Sequence, residues 1–125
     1  MSYKLKLNQK EDVLWVTASG TRSIETVLAI INEIFSACTE YNLSVVLVDV
    51  RELDGRLSTL NTFTLATRHF PILRELRVIK KAAIVDLKEF EHNYRFFETL
   101  TRTRGYRLRL FSDLDTAADW LKNNP

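Results

Sequence analysis

SVVLVDV, residues 44–50, decides how the rest of the chain is read. Between Ser44 and Asp49 every residue is apolar, and all but Leu47 are valines. A run this short and this rich in β-branched residues predicts an inner strand covered on both faces; a helix would need more length. KKAAIVD, residues 80–86, reads the same way and also closes on an aspartate. Helical patterns lie before, between and after these two runs. Strands alternating with helices imply parallel pairing through right-handed crossovers.

On the N-terminal side, Tyr3, Leu5 and Leu7 alternate with Lys4 and Lys6, the period of a strand with one polar face. Asn8 to Asp12 form a polar turn, and VLWVTAS, 13–19, follows as a second strand. So short a link makes the two antiparallel. Gly20 ends the strand, Ser23 caps the next helix, and Glu25 stands in its first turn. Val27, Ile30, Ile31, Ile34, Phe35 and Cys38 then recur at threes and fours as a buried stripe.

On the C-terminal side, DVRELDGRLSTLNTF, 49–63, predicts a strand end at Asp49, a turn at Asp54-Gly55 and a helix over 58–70. Leu60, Phe63, Leu65 and Phe70 are its candidate core, and Pro71 ends it. Asp86-Leu-Lys-Glu89 has the form of a capping box with Asp in the cap role. In the helix after it, Phe90, Tyr94, Phe97 and Leu100 share a face that Phe96 widens. Glu91–Arg95 and Glu98–Arg102 are i,i+4 pairs, and Gly105 fits the C′ position. In YRLRLF, 106–111, Leu108 and Leu110 point inward and Arg107 and Arg109 outward. Ser112 caps a last helix carrying Leu114, Ala117, Ala118, Trp120 and Leu121.

The predicted fold is α/β in a single domain, 1–125: a mostly parallel five-stranded sheet with an antiparallel N-terminal strand and about four helices. If the strands add in sequence order, every crossover passes on one face. The other face then needs separate cover or stays partly open. Lys4, Lys6, Arg107 and Arg109 suit its solvated margins and discourage edge-to-edge pairing.

A chain of 125 residues, 46% hydrophobic and 27% charged, is an ordinary globular domain with a proper core. The N-terminus lacks the apolar core of a signal peptide, and no run is long enough to span a bilayer. The single Cys38 forms no internal disulfide and fits a cytoplasmic location. From Arg68 to Arg109 there are eleven basic against five acidic residues, and elsewhere seven against eleven. The interleaved acids make that segment a mixed surface rather than a nucleic-acid stripe. His69, His92 and Cys38 lack metal-ligand spacing. No nucleophile elbow, GxGxxG or P-loop is present. The expectation is a protein that is not an enzyme and has no cofactor.

FFETLTRTRGYRLRLFSDLDTAADWL, 96–121, runs from a helix ending in Arg-Gly through a short strand ending in Phe to an Asp-rich cap and Ala-Trp-Leu. This pattern, with the β-α order of nearly the whole chain, resembles the STAS domain (sulfate transporter and anti-sigma antagonist). The likeness is greatest to its SpoIIAA-like branch, which is grouped with Sec14-type lipid carriers as β-α superhelices. In signalling STAS proteins a serine opening the helix after the central strand is phosphorylated by a kinase that doubles as anti-sigma factor. Laid without gaps from Asp49, the resemblance puts the phosphoacceptor on Ser58 and the next hydroxyl on Thr59. This sequence departs from the motif at Leu57 and Leu60, where the family carries an acid and a glycine. Ser58 as a plain N-cap is the structural alternative.

Asp49, Arg56, Ser58 and Thr59 are therefore the candidate phosphoacceptor or anion-binding edge. Trp15, Arg107 and Arg109 are a candidate surface patch on the less covered face. The resemblance implies a non-catalytic regulatory or binding module for a protein partner or a hydrophobic, anionic, lipid-like ligand, and a possible homodimer. Its alternative is an anti-anti-sigma factor switched at Ser58. A small enzyme using His69 or His92 stands behind both.

Overall fold

The computed structural model describes residues 3–65, 68, 79–103 and 107–123. Its elements are β1 (Tyr3–Lys10), β2 (Val13–Thr21), α1 (Ile24–Tyr41), β3 (Val45–Asp54), α2 (Thr59–Thr64), β4 (Lys81–Val85), α3 (Glu91–Thr103), β5 (Arg107–Phe111) and α4 (Leu114–Asn123). A turn of 3-10 helix, Lys88–Phe90, leads into α3. The sheet order is β1-β2-β3-β4-β5, with β1 antiparallel to β2 and the remaining pairs parallel. The α/β architecture is the one that the alternation of strands and helices dictates.

Strand parity divides the core. Leu14, Val16, Ala18, Val46, Val48 and Ala82 meet Ile30, Ile34, Phe35 and Cys38 of α1 and Phe97 of α3. Leu47, Ala83, Val85 and Phe111 point the other way and meet Ala117 of α4, with Trp15, Leu114 and Leu121 packed around them. α4 is thus the separate cover that the far face required. It lies over the β5 side of that face and leaves Lys4 and Lys6 of β1 exposed.

Local chemistry sets the boundaries. Ser23 Oγ accepts from Thr26 N at 3.2 Å, and the left-handed Asn42 closes α1. The hairpin turn is tighter than the sequence suggests: β1 runs on to Lys10, and only Glu11 (φ 51°) and Asp12 (φ 63°) turn the chain. Two consecutive left-handed residues make a turn whose twist matches the strands. α4 is capped one residue later than Ser112, by Asp113, whose Oδ1 accepts from Thr116 N at 2.8 Å. That bond, before all else, holds the Asp113 carboxyl below the usual range.

β3 also outruns its sequence reading. It passes Asp49 and continues to Asp54, pairing Glu52, Leu53 and Asp54 with Ser19, Gly20 and Thr21. A bulge sits between the Thr17–Asp49 and Ser19–Glu52 pairs. The extra β3 residue reverses the side-chain alternation. Val50 and Leu53 consequently both reach the α1 side of the core although their numbers differ in parity.

Candidate functional site at the carboxyl edge of the sheet

The parallel strands deliver Thr21, Asp54 and Asp86 to one edge, where ligands bind in open α/β sheets. The centre of that edge is occupied by Arg22. Its Nη1 and Nη2 donate to Asp86 Oδ2 and Oδ1, each at 3.0 Å. Nη2 also donates to Val50 O and Leu53 O, and Nε to Gly55 O at 3.1 Å. The guanidinium lies 4.3 Å from the Phe90 ring centroid. Asp86 receives in addition the Tyr94 hydroxyl at 2.8 Å and the Leu87 amide at 2.7 Å. Burial first, and then the Asp86 carboxylate, push the Tyr94 hydroxyl well above the ordinary tyrosine range. It stays a proton donor.

This corrects the reading of Asp86 as a helix cap. Leu87 occupies the cap position, without a side-chain bond, and Glu89 faces Arg56 at 3.5 Å. The Asp86 side chain is fully buried and that of Arg22 nearly so. With every side-chain nitrogen and oxygen of the pair hydrogen-bonded, the network ties β2, β3, β4 and α3 together. It has no vacant charge to offer a ligand.

The 54–59 loop lies beside it. Gly55, at φ 94°, takes a conformation that strains any residue with a Cβ. Arg56 is largely exposed, against Glu89 and the Phe90 ring. Ser58 and Thr59 are exposed, and Ser58 Oγ accepts from Asn61 N at 3.0 Å as the N-cap of α2. α2 turns outward more than its apolar pattern predicts. Leu65 is buried as expected, but Leu60 is 71% exposed and Phe63 55% exposed, so neither is core. Leu87, before the 3-10 turn, is 40% exposed as well, and Arg56 and Glu89 are exposed near it.

Asp49 stands apart from that loop. It lies within β3 on the α4 face, in register with Thr17 and Val85. The sequence suggests that its carboxylate accepts from the turn near Gly55 or Arg56. Its partners are instead Arg51 N at 3.1 Å and the Arg51 guanidinium at 3.0 and 2.9 Å. The bulge brings Arg51 back over it. Burial pushes the Asp49 carboxyl up, yet the Arg51 guanidinium and amide together pull it below the ordinary value.

Trp15, Arg107 and Arg109 share the α4 face, but Trp15 is not a neighbour of the two arginines. Trp15 lies in one row with Leu47, Ala83 and Arg109, three strand spacings or about 14 Å from the last. Trp15 is half-buried, with Lys10 Nζ 5.5 Å from its ring centroid. Arg107 stacks over Trp120 and Arg109 over Phe111.

A cavity of about 170 Å³ lies between α1 and α3 over β3 and β4. Ile30, Ile34, Val48, Ala82 and Phe97 are among its apolar walls, and Arg22, Asn93 and Thr62 stand at its polar end. His92 is exposed on α3. His69, Phe70, Pro71 and Gly105 and the side chains of Phe96 and Leu100 lie outside the described residues. Among the described residues no three His, Cys, Asp or Glu are grouped to hold a metal ion, and no helix is long and apolar enough to cross a membrane.

Arg22 and Tyr94 were missed as members of one network. One signal was available: an aspartate that closes a buried parallel strand needs a cation at the same sheet edge, and Arg22 directly follows β2.

No family model matches the chain, and no curated protein matches it in sequence. Among solved structures it is similar to an anti-sigma factor antagonist from Mycobacterium paratuberculosis. That match has 16% identity over 98% of this chain and 96% of the other, with a TM-score of 0.61. It is also similar to an uncharacterized DUF3478-family protein with a SpoIIAA-like fold from Shewanella loihica. Identity there is 18% over 96% and 93% of the two chains, with a TM-score of 0.49. At such identities the likeness is one of fold, and the chain has the STAS-type, SpoIIAA-like fold.

Proposed function

We propose that this STAS-type domain is a non-catalytic regulatory module that docks a protein partner on the edge formed by the 54–59 loop and α2. The observation that carries this reading is the exposure of Leu60 and Phe63 on the short helix α2, directly after a loop that carries the exposed Arg56. Large apolar side chains exposed together on one short element mark protein contacts. The fold likeness to an anti-sigma factor antagonist supports a partner of the anti-sigma class. Ser58 directly precedes α2 and is exposed. A phosphate there would add about −1.5 to −2 charges at the margin of the apolar surface and so weaken docking. The test places a photo-crosslinker at Leu60, purifies the captured protein and measures its affinity for the unmodified chain. Binding that Leu60→Asp with Phe63→Asp abolishes, at unchanged melting temperature, supports the reading. Equal capture from Glu33 on α1, or affinity indifferent to the double substitution, defeats it.

The cavity favours a second reading, a small apolar ligand. Its 170 Å³ compares with the roughly 150 Å³ that suffices for benzene in an engineered core. Arg22 is committed to Asp86 and three carbonyls, so the occupant of this reading is a neutral, ring-sized molecule. Saturable indole binding, removed by Ile84→Phe in the cavity wall, would support it. Binding that survives Ile84→Phe, or no binding at all, would dismiss it.

A further inference from the structure

The two edges of the sheet are finished differently. On β5, Leu110 N donates outward to Glu98 Oε2 at 3.0 Å, so a helix side chain takes up a central amide of that edge. On β1, an eight-residue strand, no backbone hydrogen bond runs to anything but β2 among the described residues. An open edge of this length is a template for a further strand.

The side chains of β1 state what that strand must carry. Lys4, Lys6 and Lys10 share one face, in register with Ser19, Thr17 and Val13 of β2. All three are exposed, and none forms an ion pair among the described residues. Tyr3, Leu5 and Leu7 point to the other face; Leu5 packs against the core, and Leu7 remains 41% exposed. A second copy pairing antiparallel through β1 would set the lysine face of one copy against that of the other. Like charges across a strand pair are destabilising, so the edge repels itself. A strand with acids at alternate positions meets the opposite result: its carboxylates face the lysines, and its apolar residues extend the surface of Leu5 and Leu7. Repulsion of the wrong partner and attraction of the right one come from the same three residues.

We propose that β1 receives an extended segment of a partner protein, with acidic and apolar residues alternating, as a sixth strand of the sheet. This site is separate from the α2 surface and does not depend on it. The test titrates the chain with a synthetic peptide alternating Val and Glu over about the length of β1 and follows amide hydrogen exchange across Tyr3–Lys10. The expected result is saturable protection of β1 that weakens about tenfold or more on Lys4→Glu with Lys6→Glu. An alternating Val-Lys peptide, and a Val-Glu peptide N-methylated at every residue, should give no protection. Both lysines are exposed and unpaired, so circular dichroism should report the double variant as folded. Leu60→Asp with Phe63→Asp should leave peptide binding intact. Three outcomes would overturn the proposal: an N-methylated peptide that binds equally well, affinity indifferent to the charge reversal, or absence of protection at millimolar peptide.

Discussion

Asp49 and Asp86 each follow an apolar run in an inner parallel strand, VVLVD in one case and AAIVD in the other. Their surroundings have little in common. Asp86 lies one residue beyond β4 and accepts from Arg22, Tyr94 and the Leu87 amide with its side chain wholly buried. Asp49 lies inside β3, points to the α4 face and is held by Arg51, two residues along. One aspartate joins four elements across 64 residues of sequence, and the other staples a bulge to itself. The difference comes from strand parity and from which cation the sheet edge supplies. Neither can be read from the residues on either side.

Substitutions should separate the two most clearly. Asp86→Ala leaves the Arg22 guanidinium buried without its counter-charge and should cost about 3–5 kcal/mol, read by urea denaturation. Arg22→Met should cost nearly as much by orphaning Asp86. A loss below about 1 kcal/mol for either would mean that the network does not hold the edge together.

Asp49→Ala should cost about 1–2 kcal/mol, because the Arg51 amide loses its acceptor while the guanidinium can still turn to water. Its pH dependence is a second handle. The Asp49 carboxyl is lowered in the folded chain, so its contribution is present above the unfolded value near pH 4 and is lost as pH falls through the folded one. The gap between wild type and Asp49→Asn, measured by denaturation at stepped pH, should therefore shrink below about pH 4. A gap that widens in acid would reverse the assignment.

Ser58→Ala should have the smallest effect, about 0.5 kcal/mol, because it uncaps an exposed helix of only six residues. Ser23→Ala, at the start of the 18-residue α1, should cost about twice that. Thermal melts of both variants would sharpen the contrast between a cap that supports the core and one that lies on the exposed 54–59 loop.

The architecture was legible because its signals are local. Valine runs mark the inner strands, the Ser23 cap and its stripe mark α1, and the single-faced crossovers already call for separate cover of the far face, which α4 provides. The carboxyl edge was less legible because its determinants are tertiary. Glu52, Leu53 and Asp54 look like a turn until the bulge lets them pair with β2. Leu60 and Phe63 have core spacing, yet α2 carries them outward. Arg22 has no local signature, since its partner is a strand end far along the chain. Ser58 is singled out by the resemblance laid from Asp49 and by its place at a helix start, and its exposure, like that of Arg56, follows from the position of the loop.

Every strand of this sheet lies beside its neighbour in sequence. During synthesis each strand after β1 meets a partner already in place, so assembly needs no unpaired strand to wait for a distant mate. α4 comes last, and until it docks Leu47, Ala83 and Val85 form a bare apolar strip on the finished sheet. That strip is the surface a newly formed sheet offers to chaperones and to aggregation in the interval before α4 docks.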